Sequence, residues 1–430
     1  MRAGLSDGGG RSASDVLKVL ALLWCAGAAL RIPILGVPPV VPHIRESLRM
    51  SETEVGLLIG LPLGMLALAA IPGSLIVSRL GATRTMIAGL AITALAAASR
   101  SLAPDVIVLY AATAIMGFGM AIAQPSLPAL IREWMPQRMG LATAAYTNGS
   151  LLGAVLTSFL TIPFVLPLVN ESWRLALAVW AVPTAAAALV VAVFAPRSQV
   201  SAAALLKARG WWPDWRSPVI WALGLTFGCN NCIYFSISAF LPDYLHSFGR
   251  GGLITAGLTA LNLAQLAASC ILMMVGERLQ RRAWTYLVGG PASFVGLLGI
   301  VLADGAWNVT FTALAGFATA INFIVMLSLP AMLSRHHDAH RTGAGMFTIA
   351  FTMTVAAPVI SGALWDLTGL AWMAFAPAFV CAVGLTLLGP ILVRFPVPEE
   401  AQASGRPLWA PTRGAPTDPW VHTFAGTNGM

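Results

Sequence analysis

LKVLALLWCAGAALRIPILGVPPVV, residues 17–41, is an apolar run with one charge in its interior, Arg31. At about 1.5 Å of rise per residue it exceeds the roughly 20 apolar residues that cross a bilayer as a helix. It is too long for the apolar core of a cleaved leader, so it is expected to stay as the first membrane helix. Arg31 lies about 20 Å along a helix from Lys18 and about 18 Å before His43, which puts it near the bilayer midplane. A charge there costs at least ~2.5 kcal/mol unless it faces the interior of a bundle and finds a partner.

Eleven more runs of this kind follow, at 54–78, 84–103, 106–131, 139–168, 173–195, 218–246, 254–276, 283–303, 306–334, 342–365 and 371–394. Of the 430 residues 57% are hydrophobic and only 10% are charged, against about a quarter charged in soluble domains. Pro62, Pro72, Pro125 and Pro358 interrupt several runs; bundles in lipid tolerate this because neighbouring helices satisfy the freed backbone groups. The chain is therefore expected to be an all-α membrane protein of twelve transmembrane helices.

The charges orient it. With residues 1–16 in the cytoplasm, 19 of the 25 Lys and Arg fall on the cytoplasmic side, five on the other, and Arg31 inside the first helix. That bias follows the positive-inside rule, and an even helix count puts both termini in the cytoplasm of a multi-pass protein of the inner (plasma) membrane. The formal charge of +8 reflects these loops beside anionic lipid; no basic cluster sits on a polar domain, which argues against nucleic acid. Cys25, Cys229, Cys232, Cys270 and Cys381 all lie in apolar runs and read as small hydrophobes. His336, His337 and His340 read as a solvated loop, so no metal and no cofactor is expected.

The longest polar interruption, 196–217, divides the chain into a first six-helix bundle, 17–195, and a second, 218–394; residues 395–430 form a Pro/Gly-rich cytoplasmic tail expected to be disordered. The halves echo one another. Ser126-Leu127-Pro128-Ala129-Leu130 returns as Ser328-Leu329-Pro330-Ala331-Met332 after 202 residues, Pro39 as Pro242 after 203, and Trp173 as Trp372 after 199. One nearly constant offset points to two pseudo-symmetric copies of a six-helix unit, the architecture of the major facilitator fold.

No acidic residue lies at a helix centre to answer Arg31. It is either held by backbone carbonyls or waits for an anionic or strongly polar solute, whose carboxylate-like groups its planar fork would match. Other polar side chains at depth include Gln124, Tyr146, Asn148, Asn231, Tyr234, Asn262, Gln265 and Asn322. Each can serve as glue between helices or as a ligand group. Asn231 and Tyr234 share a helix face, as do Asn262 and Gln265. Asp243, at the end of the seventh helix, is the candidate for coupling to a proton; uniport or exchange fits equally. Gly149 and Gly153 signal close helix packing. No Ser/His/Asp set or carboxylate pair for catalysis appears, so no enzyme is expected.

These residues resemble the cyanate transporter family of the major facilitator superfamily, which includes 2-nitroimidazole transporters, over most of 20–394. The stretches that carry the resemblance are Leu30-Arg31; Gly117-Phe118-Gly119 leading to Gln124-Pro125-Ser126-Leu127-Pro128; Gly140-Leu141; Asn231 and Tyr234 ahead of Phe240-Leu241-Pro242; and Gln265. The chain departs at Ser78, where the superfamily has an Asp, and at Tyr146-Thr147-Asn148-Gly149, which is bulkier than the family's Gly-rich run. The resemblance implies a small anion or small polar organic molecule as the solute; together with the residues read above, the expectation is a monomeric secondary transporter whose two halves rock around Arg31, Gln124, Asn148, Asn231, Tyr234, Asn262, Gln265 and Asn322. An exporter of drug-like compounds would tolerate loss of Arg31, and a receptor or scaffold would bring a folded cytoplasmic domain.

Overall fold

The structure is a computed structural model and describes residues 13–136, 138–196, 212–279, 284–333 and 339–395. Residues 1–12 of the N-terminal segment, 197–211 of the central loop, His336, His337 and the tail from 396 lie outside the described residues. Among the described residues twelve long helices run α1 Ala13–Leu35, α2 Glu52–Leu80, α3 Ala82–Ser99, α4 Val106–Ala123, α5 Met139–Leu160, α6 Trp173–Phe194, α7 Pro218–Ser247, α8 Ile254–Leu279, α9 Trp284–Leu302, α10 Ala306–Leu333, α11 Ala339–Thr368 and α12 Ala376–Arg394. Among the described residues ten helical stretches are long and apolar enough to cross a membrane. Ala13 and Arg394 share one end of the bundle, here the near end; the opposite end is the far end.

The ends of the helices follow local chemistry. Ser51 and Glu54 form a reciprocal capping box at the start of α2, and Asp105 accepts from the Val108 amide at the start of α4. The first apolar run ends as a regular helix at Leu35, before Pro38-Pro39, and the chain resumes as a short helix, Val41–Leu48, across the far end. The fourth run is not one helix: Pro125 ends α4, and a separate helix, Ser126–Trp134, completes it. The fifth loosens into a π turn over Thr161–Val165, around Pro163. Inside the helices, the hydroxyls of Thr93, Thr226, Thr312, Thr319, Thr354 and Thr386 each donate to the carbonyl one turn earlier. This satisfies them without water.

Packing repeats between the halves. In the first, α1 packs on α5 and α6, α4 on α2 and α3, and α3 on α6; in the second, α7 packs on α11 and α12, α10 on α8 and α9, and α9 on α12. Each pair is its counterpart shifted by six helices, as the repeat in the sequence requires. The halves meet through α2 against α11 and α5 against α8, again a symmetric pair. Large apolar side chains such as Leu68, Leu95, Val182, Leu189, Val380 and Leu387 face outward, where lipid replaces water.

Two contacts depend on glycine. A Cβ on Gly149 of α5 would stand 2.1 Å from the Trp24 carbonyl oxygen of α1, and one on Gly362 of α11 would stand 2.1 Å from the Glu52 carbonyl oxygen of α2. The first sets the α1–α5 spacing, and the second sets how closely the halves meet at the far end.

Candidate functional site

Arg31 projects from α1 toward the second half. Its guanidinium carbon lies 5.4 Å from the ring centroid of Tyr234 and 5.7 Å from that of Phe235, neighbours on α7. The two rings meet edge to face, 5.0 Å apart. Tyr234 sits just past the middle of the 30-residue α7, so Arg31 stands at mid-height, between the halves. A guanidinium this close to an aromatic ring gains about 0.5–2 kcal/mol, which holds its plane without neutralising its charge. Among the described residues no ion pair includes Arg31, and its Nε is buried without a hydrogen-bond partner. The ionisable group beside it on α5 is the phenol of Tyr146.

The polar side chains around this charge sort into free and committed. On α5, the Asn148 oxygen accepts from Trp24 Nε1 at 3.1 Å, and the side chain is exposed. Asn231 is buried one turn before Tyr234 on α7. Asn262 of α8 is fully committed: Tyr234 donates to its oxygen at 2.7 Å, and its amide donates to Ser158 Oγ of α5 at 3.0 Å and to the Leu258 carbonyl at 2.9 Å. This Tyr234–Asn262–Ser158 chain crosses from one half to the other beside Arg31. Gln265 is buried one turn further along α8. Gln124 is half-buried at the α4 break before Pro125. Asn322 is turned away: it packs against Gly289 of α9, inside the second bundle, with both amide atoms buried and unpartnered. Of the residues expected to bind solute, Tyr234 lies against Arg31 and Asn262 bonds Tyr234, with Asn231 on the same face of α7; the hydrogen-bond partner of Asn148 is Trp24. Asn322 lies inside the second bundle.

Phe235, Ser158 and Trp24 complete the site and were not among the expected residues. An apolar ring and a serine in an apolar run carry no signal without the fold. Cys229 and Cys232 of α7 face the Cys381 thiol of α12, and all three are free; no cluster fit for a metal is found among the described residues.

A second group of charges closes the far end. Asp366, on the last turn of α11, accepts from the Glu52 and Thr53 amides at 3.0 and 2.8 Å and from the Thr53 hydroxyl. It thereby caps α2 from the other half, where the helix dipole favours a negative charge. Arg45, on the short far-end helix, donates to Glu52 Oε1. Glu52 is 5% exposed and Asp243 of α7 is 2% exposed, and each keeps one carboxyl oxygen without a hydrogen-bond partner.

Comparison with known proteins adds an independent line. The family model described as Major Facilitator Superfamily matches residues 21–356. The cyanate transport protein CynX of Escherichia coli (strain K12) is 28% identical over 382 residues, covering 86% of this chain and 96% of that protein. The 2-nitroimidazole transporter of the same organism is 28% identical over 372 residues, covering 83% and 91%. Among solved structures, the inward-open xylose transporter XylE from E. coli aligns with a TM-score of 0.70 at 12% identity, covering 90% of this chain and 99% of that one. A bacterial homologue of the human lysosomal transporter Spinster, inward-facing and occupied, aligns with a TM-score of 0.65 at 16% identity, covering 92% and 93%.

Proposed function

The chain belongs to the major facilitator superfamily, and from that premise we propose that it carries a small anion or small polar organic solute past Arg31 by alternating access. It is a multi-pass membrane transporter of small solutes and not an enzyme. The observation that carries the finer reading is the charge balance at Arg31. A guanidinium at mid-height, between the halves and without a carboxylate partner, favours a site whose counter-charge arrives with the solute. Tyr234 and Phe235 orient the fork, and Asn148 and Asn231 supply neutral hydrogen-bonding groups. The relatives' names make cyanate and 2-nitroimidazole the first solutes to try.

In this reading the near end faces the cytoplasm of the inner membrane, in keeping with the basic residues of the near-end loops. The inter-half contacts named above lie at the far end or toward it: Asp366 on the α2 amides and Asn262 on Ser158. The arrangement is thus one shut toward the outside. Opening to the outside would break these contacts and expose Arg31 from the far end.

The test is solute uptake by purified protein in proteoliposomes. Arg31→Ala removes the charge-assisted hydrogen bonds, worth about 1.5–3 kcal/mol, and should weaken apparent solute affinity about 10- to 100-fold with the fold intact. Arg31→Lys keeps the charge but loses the fork and the ring contacts, and should retain a fraction of the rate. Uptake by Arg31→Ala at the unsubstituted rate and affinity would remove the proposal.

A further inference from the structure

Tyr234 belongs to the second half, yet it reaches the first half by two routes. Its ring faces the Arg31 guanidinium carbon of α1, 5.4 Å from the ring centroid. Its hydroxyl donates to the Asn262 oxygen at 2.7 Å, and Asn262 in turn donates to Ser158 Oγ of α5 at 3.0 Å. A further partner fixes the direction of these bonds. The Leu258 carbonyl, 2.9 Å from Asn262, can only accept, so the amide atom facing it is the nitrogen. The amide oxygen is then the atom at Tyr234, and the phenol must donate. Both amide hydrogens of Asn262 are used, one on Leu258 and one on Ser158, which leaves this side chain no donor to offer a solute.

The two bonds at Asn262 would fare differently in a rocking motion. The Tyr234–Asn262 bond joins α7 to α8 and would travel with the second half. The Asn262–Ser158 bond crosses the α5–α8 seam and would break. Ser158 lies in the last turn of α5, toward the far end, and Asn262 lies about two turns into α8 from that end. The crossing bond therefore closes this seam on the far side. Tyr234, Asn262 and Ser158 are all buried. While the seam is shut, loss of either partner strands an Asn262 atom away from water; once it is open, water can answer that atom.

Resting on the transporter reading, we propose that Tyr234 is a positioning residue with two tasks: its ring aligns the Arg31 fork at the solute site, and its hydroxyl, through Asn262, holds the α5–α8 seam shut at Ser158. Asn262 and Ser158 are then gate residues and not solute ligands. Because one side chain serves both tasks, shutting the seam braces the ring against which Arg31 is aligned. By linkage, a solute that binds Arg31 better with the ring braced favours the shut seam by the same factor.

The experiment measures opening with no solute present, so its outcome does not depend on what Arg31 binds. Ala154, one turn before Ser158 on the same face of α5, is buried. In vesicles holding Ala154→Cys with the far end outward, labelling by a membrane-impermeant maleimide reports opening of the seam. Labelling of the matching chain without Ala154→Cys is subtracted, and rates are normalised to Ser247→Cys, an exposed position. Ser158→Ala deletes one oxygen and should raise labelling at least about fivefold. Tyr234→Phe keeps the ring on Arg31, deletes only the hydroxyl, and should raise labelling as well. Melting midpoints in detergent check that both variants fold. Acting through one shared partner, the two together should raise labelling by less than the product of their separate effects. In an Asn262→Leu background, which keeps the shape and removes the polar atoms, Ser158→Ala should change nothing further. Unchanged labelling in either folded single variant, effects that multiply in the double, or a Ser158→Ala effect that persists without Asn262 would each overturn the proposal. The expected labelling together with undiminished Arg31→Ala uptake would uphold the gate and remove the solute reading alone.

Discussion

Arg31 and Arg100 both come from helices of the first bundle, and they differ in what their guanidinium groups meet. Arg100, just past α3, is 1% exposed. Its Nη2 donates at 3.0 Å to the Pro33 carbonyl of α1. The Val37 amide, which would bond that carbonyl in a continuing helix, turns instead to the Ile34 carbonyl. Arg100 therefore caps a helix end from the side. Arg100→Ala should lower stability by about 1–3 kcal/mol through the orphaned carbonyl, read as a lower melting midpoint in detergent, with solute affinity unchanged. A weaker affinity at an unchanged midpoint would instead place Arg100 on the solute path. The two were not equally legible. Arg31 stands out because it interrupts the middle of an apolar run. Arg100 and Glu52 sit at the edges of runs, where a charge looks like part of a solvated loop, and only the packing of neighbouring helices shows them to be buried. Asn262 was visible as a polar group at depth, but its commitment to Tyr234 and Ser158 depends on two other helices.

At the scale of elements, α1 and α5 set the wall of the site. Gly27 and Gly149 let them approach until a Cβ on either would press on the other helix's backbone carbonyl, at 2.2 and 2.1 Å. This closeness brings Trp24 to Asn148. Gly149→Val meets rigid backbone that cannot yield as a flexible side chain would. It should destabilise the first bundle by about 1–3 kcal/mol or more and break the Trp24–Asn148 bond. The checks are yield of monodisperse protein and melting midpoint; a normal midpoint would mean that the helices can part freely. Hydropathy and length located each long helix, because lipid demands an apolar stretch whatever its neighbours, but the first, fourth and fifth runs reach 41, 131 and 168 where the regular helices end at Leu35, Ala123 and Leu160. The Pro125 break and the π turn at Pro163 escaped that reading. In a membrane bundle a proline can kink, end or merely loosen a helix, and the surrounding helices decide which.

For the whole molecule, the constant offset between the halves in sequence becomes a constant shift of six in the packing pairs. That symmetry places α2 against α11 and α5 against α8 as the two seams along which the halves meet, and the proposed alternating access would part them. Which end of each seam is closed was not legible, because the contacts that close it join residues of helices distant in sequence. In this arrangement the α2–α11 seam is shut at its far end by Asp366 on the α2 amides and by Gly362 against Glu52. If transport needs this seam to open, a covalent tie across it must stop transport, while the same substitutions without the tie must not. Thr53→Cys with Asp366→Cys replaces the pair whose side chains already hydrogen-bond across the seam. A short bifunctional thiol reagent should then block uptake in proportion to the linked fraction, and cleaving the linker should restore it. The unsubstituted chain treated with the same reagent controls for Cys270 and the other free thiols. Full linkage with undiminished uptake would mean that the halves need not part here, and the solute would have to reach Arg31 by another route.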